Sequence, residues 1–141
     1  MAEGDGLLYN EFKFQLLNGA YNLANAQDTL QMVLVTGHTP DIDTDTQYSD
    51  VVADEVSGAG YDAGGKALTG QATSKDTGND LGKFAADNVT WTGLDAGTPN
   101  YAVLQDVTAS NLLIANWEIA TASNGGNYTL TFSGSGIITI T

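Results

Sequence analysis

The sequence predicts a mainly β protein: a small antiparallel β-sandwich or barrel of about seven to eight strands, with one N-terminal amphipathic helix. Three observations carry that expectation. Short β-branched and aromatic stretches recur at intervals of roughly ten residues through the second half of the chain, which is the sandwich-or-barrel spacing. Turn signals rich in Gly, Asn, Asp and Thr separate them, and the chain holds 17 glycines in 141 residues. Only one stretch, residues 7–18, has a helical period.

That stretch, LLYNEFKFQLLN, places Leu8, Phe12 and Leu16 four residues apart, with Tyr9 and Leu17 flanking the same face. Asp5 or Asn10 is placed to cap it, and Gly19 to stop it. TLQMVLVTG, residues 29–37, is a strand ended by Gly37 and Pro40. TQYSDVVADEV, residues 46–56, fits either a short helix with Tyr48, Val51 and Val52 on one side or an irregular strand, and pattern alone does not choose. SGAGYDAGGKALTG, residues 57–70, reads as a glycine-dense turn around Tyr61 that leads into a strand over 66–74. Next come GKFAADNVTWTG (82–93), NYAVLQDV (100–107), NLLIANWEIA (111–120), NYTLTFSG (127–134) and GIITIT (136–141). DAGTPN, TASN and SNGGN mark turns between them. The organisation expected is an arm and helix over residues 1–28 and a β-sandwich domain over 29–141, without internal repeat or linker.

The chain carries 17 acidic residues against 4 lysines and no arginine, for a formal charge of −13. Such a surface repels phosphate backbones, so nucleic acid is not an expected partner. With no cysteine, disulfides and thiolate metal sites are excluded. No apolar run reaches the length of a membrane span, so no membrane partner is expected. The acidic opening MAEGDGLLYNEF lacks the basic and apolar regions of a signal peptide, and synthesis in the cytoplasm without a conventional export signal is the expectation.

DIDTDTQYSD, residues 41–50, sets Asp41, Asp43 and Asp45 at alternate positions, the opening rhythm of a calcium loop. Counted from Asp41, however, Thr46 takes the place of the turn glycine and Val52 that of the closing bidentate glutamate. Asp41, Asp43 and Asp45 are therefore a weak calcium candidate, set against a solvated loop in which Asp and Thr bond to nearby backbone. His38, the sole histidine, is a conceivable metal ligand or general base. Without a second His or a Cys beside it, an exposed loop histidine is the expectation.

Pairs such as Asp54/Glu55 or Asp41/Asp43 have the composition of a general acid–base couple, but so acidic a chain supplies pairs by chance. No GxSxG, P-loop or HExxH pattern is present. Trp91, Trp117, Tyr61 and Tyr101 have the chemistry to stack on sugars, set against the usual burial of aromatics that alternate within strands. No constellation for catalysis and no cofactor motif emerges, so no enzyme and no cofactor is expected.

From roughly residue 9 to the C-terminus, the order and spacing of these stretches resemble a group of small virion proteins of tailed bacteriophages. EVSGAGYDAGGKALTG followed by DNVTW is the most diagnostic part. The resemblance implies a head accessory protein, a decoration or cement protein bound outside a capsid. The implied partner is the major capsid protein, with self-association as a homo-oligomer, and the implied location is the capsid exterior of the virion. Two departures stand out. Gln105 occupies a place where the group has an aromatic residue, and NWEIA replaces an aspartate–aromatic–glycine ending, which leaves the surface chemistry of two strands open. Tyr9, Phe12, Phe14 and Leu16 of the helix are candidate partner contacts, as apolar anchors dominate binding energy; the alternative is that the helix caps the chain's own core. Tyr61 is a candidate contact too, against a structural role for the YDAGG turn. A glycan-binding or adsorption module, or a tail or collar component, are the competing functions.

Overall fold

A computed structural model of the chain describes residues 6–24 and 27–141. Among the described residues, ten short strands make three antiparallel sheets and there is one α-helix, a β-sandwich architecture with a single helix. The largest sheet has the order β1-β8-β7-β2-β3, from β1 (Leu7–Leu8), β2 (Leu30–Val35), β3 (Lys66–Ala67), β7 (Tyr101–Asp106) and β8 (Leu112–Glu118). A second has the order β10-β5-β4, from β4 (Ala72–Asp76), β5 (Leu81–Ala85) and β10 (Ile138–Ile140). β6 (Val89–Trp91) and β9 (Tyr128–Leu130) pair as a ribbon.

The central strands β2, β7 and β8 are buried on both faces, residue after residue. This accounts for the near-continuous apolar runs LQMVLV and LLIA, since a strand covered on both sides has no solvent face to keep polar. The core runs from these strands to Trp91, Leu94, Tyr128 and Leu130 and takes in Tyr9 and Phe12. Trp91 stacks on Tyr61 at 6.4 Å between ring centroids and meets Tyr128 edge-on at 6.3 Å.

The helix, α1, spans Asn10–Leu17, shorter than the 7–18 expected. Leu7 and Leu8 instead pair with Asn116 and Ala115 of β8, and the N–H of Tyr9 donates to the Ile114 carbonyl. The spacing Leu8–Phe12–Leu16 arises because the strand delivers Leu8 to the same core that the helix faces. Asn10 is the first helical residue rather than a cap, and no side chain caps the helix; Asp5 lies outside the described residues. At the other end Gly19 adopts φ +74°, with Gly19 N–H on Leu16 O and Ala20 N–H on Gln15 O. That is a Schellman closure, as the glycine predicted.

Residues 46–56 resolve into two single-turn 3-10 helices, Tyr48–Asp50 and Val52–Asp54. Two expected strands each split. The 66–74 segment turns at Gly70 into β3 and β4, and 82–93 passes from β5 to β6 in another sheet. At that second break the Asp87 N–H donates to the Thr69 carbonyl and its carboxylate takes the Thr69 hydroxyl, tying the chain beside the segment that leads into β4 before it enters β6. Gly65 lies at φ +86° against β2, where a Cβ would stand 2.1 Å from the Met32 carbonyl oxygen. Only glycine permits both that backbone region and that approach.

Candidate partner-binding surface

The eight residues of α1 divide by face. Phe12 is 1% exposed and tilts onto Tyr21 at 5.0 Å between ring centroids. Tyr9, just before the helix, is fully buried, and burial pushes its phenol well above the usual range. Both residues, expected among the partner contacts, are thus built into the chain's own core, because β1 and the Tyr9–Ile114 bond draw the start of the helix onto β8. Leu16 is half-buried. It lines, with Phe12, Leu23, Phe84, Ile138 and Ile140, an apolar groove of about 200 Å³ between the helix and the three-stranded sheet. Phe14 is 58% exposed and Leu17 88% exposed. Three apart on a helix, they are surface neighbours, and they form its outward face.

Tyr61 is half-buried, and its hydroxyl is committed internally. It donates to Glu55 Oε1 at 2.7 Å and accepts the Leu34 N–H at 3.0 Å, a β2 donor that β3 is too short to reach. Glu55 also accepts the Gly64 N–H at 2.8 Å and the Tyr48 hydroxyl. Burial, and then the Glu55 carboxylate, push the Tyr48 phenol up to about 12. This cluster holds the YDAGG turn against the sheet. Gln105 contributes from β7: it is 1% exposed and its Nε2 donates to the Gly64 carbonyl at 3.1 Å. The departure at this position therefore falls in the interior, not on the surface of the strand.

The aspartate row is spent on local bonds. Asp41 Oδ1 accepts the N–H groups of Asp43 at 2.9 Å and Thr44 at 3.2 Å, and these hold its carboxyl below the usual range. Asp43 accepts the Asn10 side-chain amide, which anchors the start of α1. Asp45 accepts the Asp41 N–H at 2.9 Å and lies 3.4 Å from His38 Nε2. Among the described residues no group of three His, Cys, Asp or Glu side chains is arranged to hold a metal ion.

His38 differs from its expectation as an exposed loop residue. It is 7% exposed, with Nδ1 2.9 Å from Asp54 Oδ2 and Nε2 facing Asp45. Its imidazole clasps the acidic loop to the second 3-10 turn, a contact between segments that spacing does not reveal. The pair Asp54/Glu55 diverges accordingly, one carboxylate on His38 and the other on two tyrosines. Trp91 and Trp117 are 2% and 4% exposed, so neither offers a stacking face to a sugar.

Sequence reasoning passed over Asp28 and Asp106, which the register Leu30↔Asp106 brings together at one end of the large sheet. They are 8% and 0% exposed, and burial, followed by contact with Asp28, pushes Asp106 up to about 7. No family model, curated protein or solved structure matches the chain.

Proposed function

We propose that this chain is a structural virion protein that binds the outer surface of a phage capsid and stabilises it. One observation carries the reading. The inward face of the helix is closed by the chain itself, whereas its outward face sets two large apolar side chains, Phe14 and Leu17, in solvent beside Asn10 and Lys13. Large apolar side chains that neighbour one another on a solvent face are suited to burial against another protein, and this supports a protein partner. The order of motifs from EVSGAGYDAGGKALTG to DNVTW supports a capsid as that partner, and the charge of −13 suits a protein kept from packaged DNA by a shell. The role asks for no active site, in keeping with the internal bonds of His38, Glu55 and the Tyr48 and Tyr61 hydroxyls.

The glycan-module alternative needs exposed Trp or Tyr beside Asp or Asn in a concave patch, and the burial of Trp91 and Trp117 weighs against it. A tail or collar component would use the same open helix face. Localisation on intact virions tests the proposal: gold-labelled antibody or a particle reconstruction is expected to find the protein on the head surface. Its absence from purified virions would overturn the reading, and a tail position would move it to the alternative. Sedimentation of the free protein reports whether self-association accompanies attachment.

A further inference from the structure

We propose that Asp28 and Asp106 form a proton-dependent latch that fastens the segment entering β2 to the end of β7. Asp28 closes its own loop, donating its N–H to the Asn22 carbonyl at 3.2 Å while its carboxyl accepts the Asn22 N–H. Across the sheet end, Val107 N–H meets Thr29 O and Thr29 N–H meets Thr108 Oγ1, both at 2.9 Å. Asp106 Oδ1 accepts the Ala109 N–H at 2.9 Å, whereas its Oδ2 is buried without a donor. Beyond the Ala109 and Thr108 N–H groups, the Asp28 carboxyl is within reach of Asp106. Two carboxylates face each other there, and one shared proton turns the contact from repulsion into an O–H···O bond.

Among the described residues no cation pairs with either carboxyl, although the Ala109 and Thr108 N–H groups favour the charged form of Asp106. Tyr21, from the segment after α1, is the titratable neighbour, with its hydroxyl on the Leu113 carbonyl at 3.3 Å; Glu11 of α1 acts on Tyr21 and adds negative charge. Gln71, from the turn before β4, donates to the Asp28 carbonyl at 3.2 Å and is neutral. Among the described residues, the ion pairs are those of His38 with Asp45 and Asp54. Burial raises the affinity of Asp106 for its proton to about pH 7. Loss of that proton to water leaves two buried negative charges and loosens Asn22 and Asp28 from the sheet, along with Tyr21, on which Phe12 rests.

Amide exchange on the intact protein, corrected for the intrinsic pH dependence of exchange, tests the latch. Between pH 5 and 7 the protection of the Asn22 and Asp28 amides is expected to fall by about 100-fold, tenfold per unit. Amides of the β6–β9 ribbon that exchange by local fluctuation, rather than by global unfolding, are expected to hold their protection. Asp106→Asn keeps an acceptor for Ala109 and brings an N–H donor to Asp28, so its protection should be independent of pH in this range. His38→Gln is expected to keep the wild-type slope. A wild type without the slope, or an Asp106→Asn variant with it, overturns the proposal. Should the variant fail to fold, the carboxyl carbon of Asp106 in the wild type decides by NMR: titration near neutrality upholds the latch, and full ionisation by pH 5 overturns it.

Discussion

Truncation of α1 one residue at a time separates what the helix does for its own fold from what it offers a partner. Phe12 has 1% of its surface exposed and rests on Tyr21. Removing a buried phenylalanine ring costs about 3–5 kcal/mol, and an aromatic contact contributes about 0.5–1.5 kcal/mol of such totals. The apolar groove of about 200 Å³ beside Phe12 lets neighbours and water relax into the space. Phe12→Ala is therefore expected near the low end, at about 3 kcal/mol. Phe14→Ala removes a ring that is 58% exposed and touches no core, so its stability should stay within about 0.5 kcal/mol of wild type. If its face seats on a capsid, the same change should weaken attachment by about 2 kcal/mol, roughly 30-fold.

Urea melts followed by circular dichroism, beside cosedimentation with particles lacking the protein, measure the two quantities separately. The reasoning predicts opposite profiles: Phe12→Ala unstable, Phe14→Ala stable but weakly bound, with Leu17→Ala resembling Phe14→Ala. A stable Phe12→Ala would refute the placement of the helix. A doubly truncated Phe14/Leu17 variant that binds particles normally would remove the open face from the contact.

Thermal melts in chelator and in millimolar calcium should coincide, because Asp41, Asp43 and Asp45 already serve backbone and side-chain donors; a rise beyond about 10 °C would mean linked binding. Attachment to particles should survive physiological salt, where screening shortens the reach of charges to about 8 Å, since Lys13, Lys66, Lys75 and Lys83 are the only cations beside His38 in the sequence; release by salt would count against an apolar contact. Gly65→Ala should cost at least about 2 kcal/mol in urea melts, as the new methyl meets the Met32 carbonyl at 2.1 Å in a backbone region unfavourable to alanine; a neutral effect would reject the close approach.

What was legible in the sequence was the pattern with a local cause. LQMVLV and LLIA announced strands because both faces are covered, and Gly19 announced the helix stop because the closure needs a left-handed residue. The β5–β6 break was illegible, since Ala86–Asn88 contains neither Gly nor Pro to mark it. The helix start was misplaced because β8 recruits Leu7 and Leu8, a long-range pairing that leaves the helical spacing intact. Of the candidate contacts, the 3.6-residue period named the apolar positions without telling which face the chain covers for itself. His38 and the Asp28–Asp106 pair were missed as clusters because their partners meet only after the sheet has formed.

Four carboxylates fall into two classes with opposite pH dependence. Backbone N–H donors, rather than cations, hold Asp41 and Asp50 below their ordinary value, and Asn79 leads the bonds that do the same for Asp76. These contributions are present above the unfolded carboxylate value near 3.8 and are lost as acid protonates the groups. Asp106 runs the other way. Raised to about 7 in the fold, it contributes fully below 3.8 and its share drains away as pH rises toward 7. At about 1.36 kcal/mol per unit, the drain has a ceiling of about 4 kcal/mol. The Asp106 contribution should therefore lower stability from about pH 4 to about pH 7 and then level off. Urea midpoints at pH 5 and 8 measure this limb directly, with the pH 5 value expected the higher. A midpoint at pH 8 above that at pH 5 would show that Asp106 is not a proton carrier in the folded protein. The Asp106→Asn variant should flatten the alkaline limb and leave the acid limb, because Asp41, Asp50 and Asp76 retain their donors.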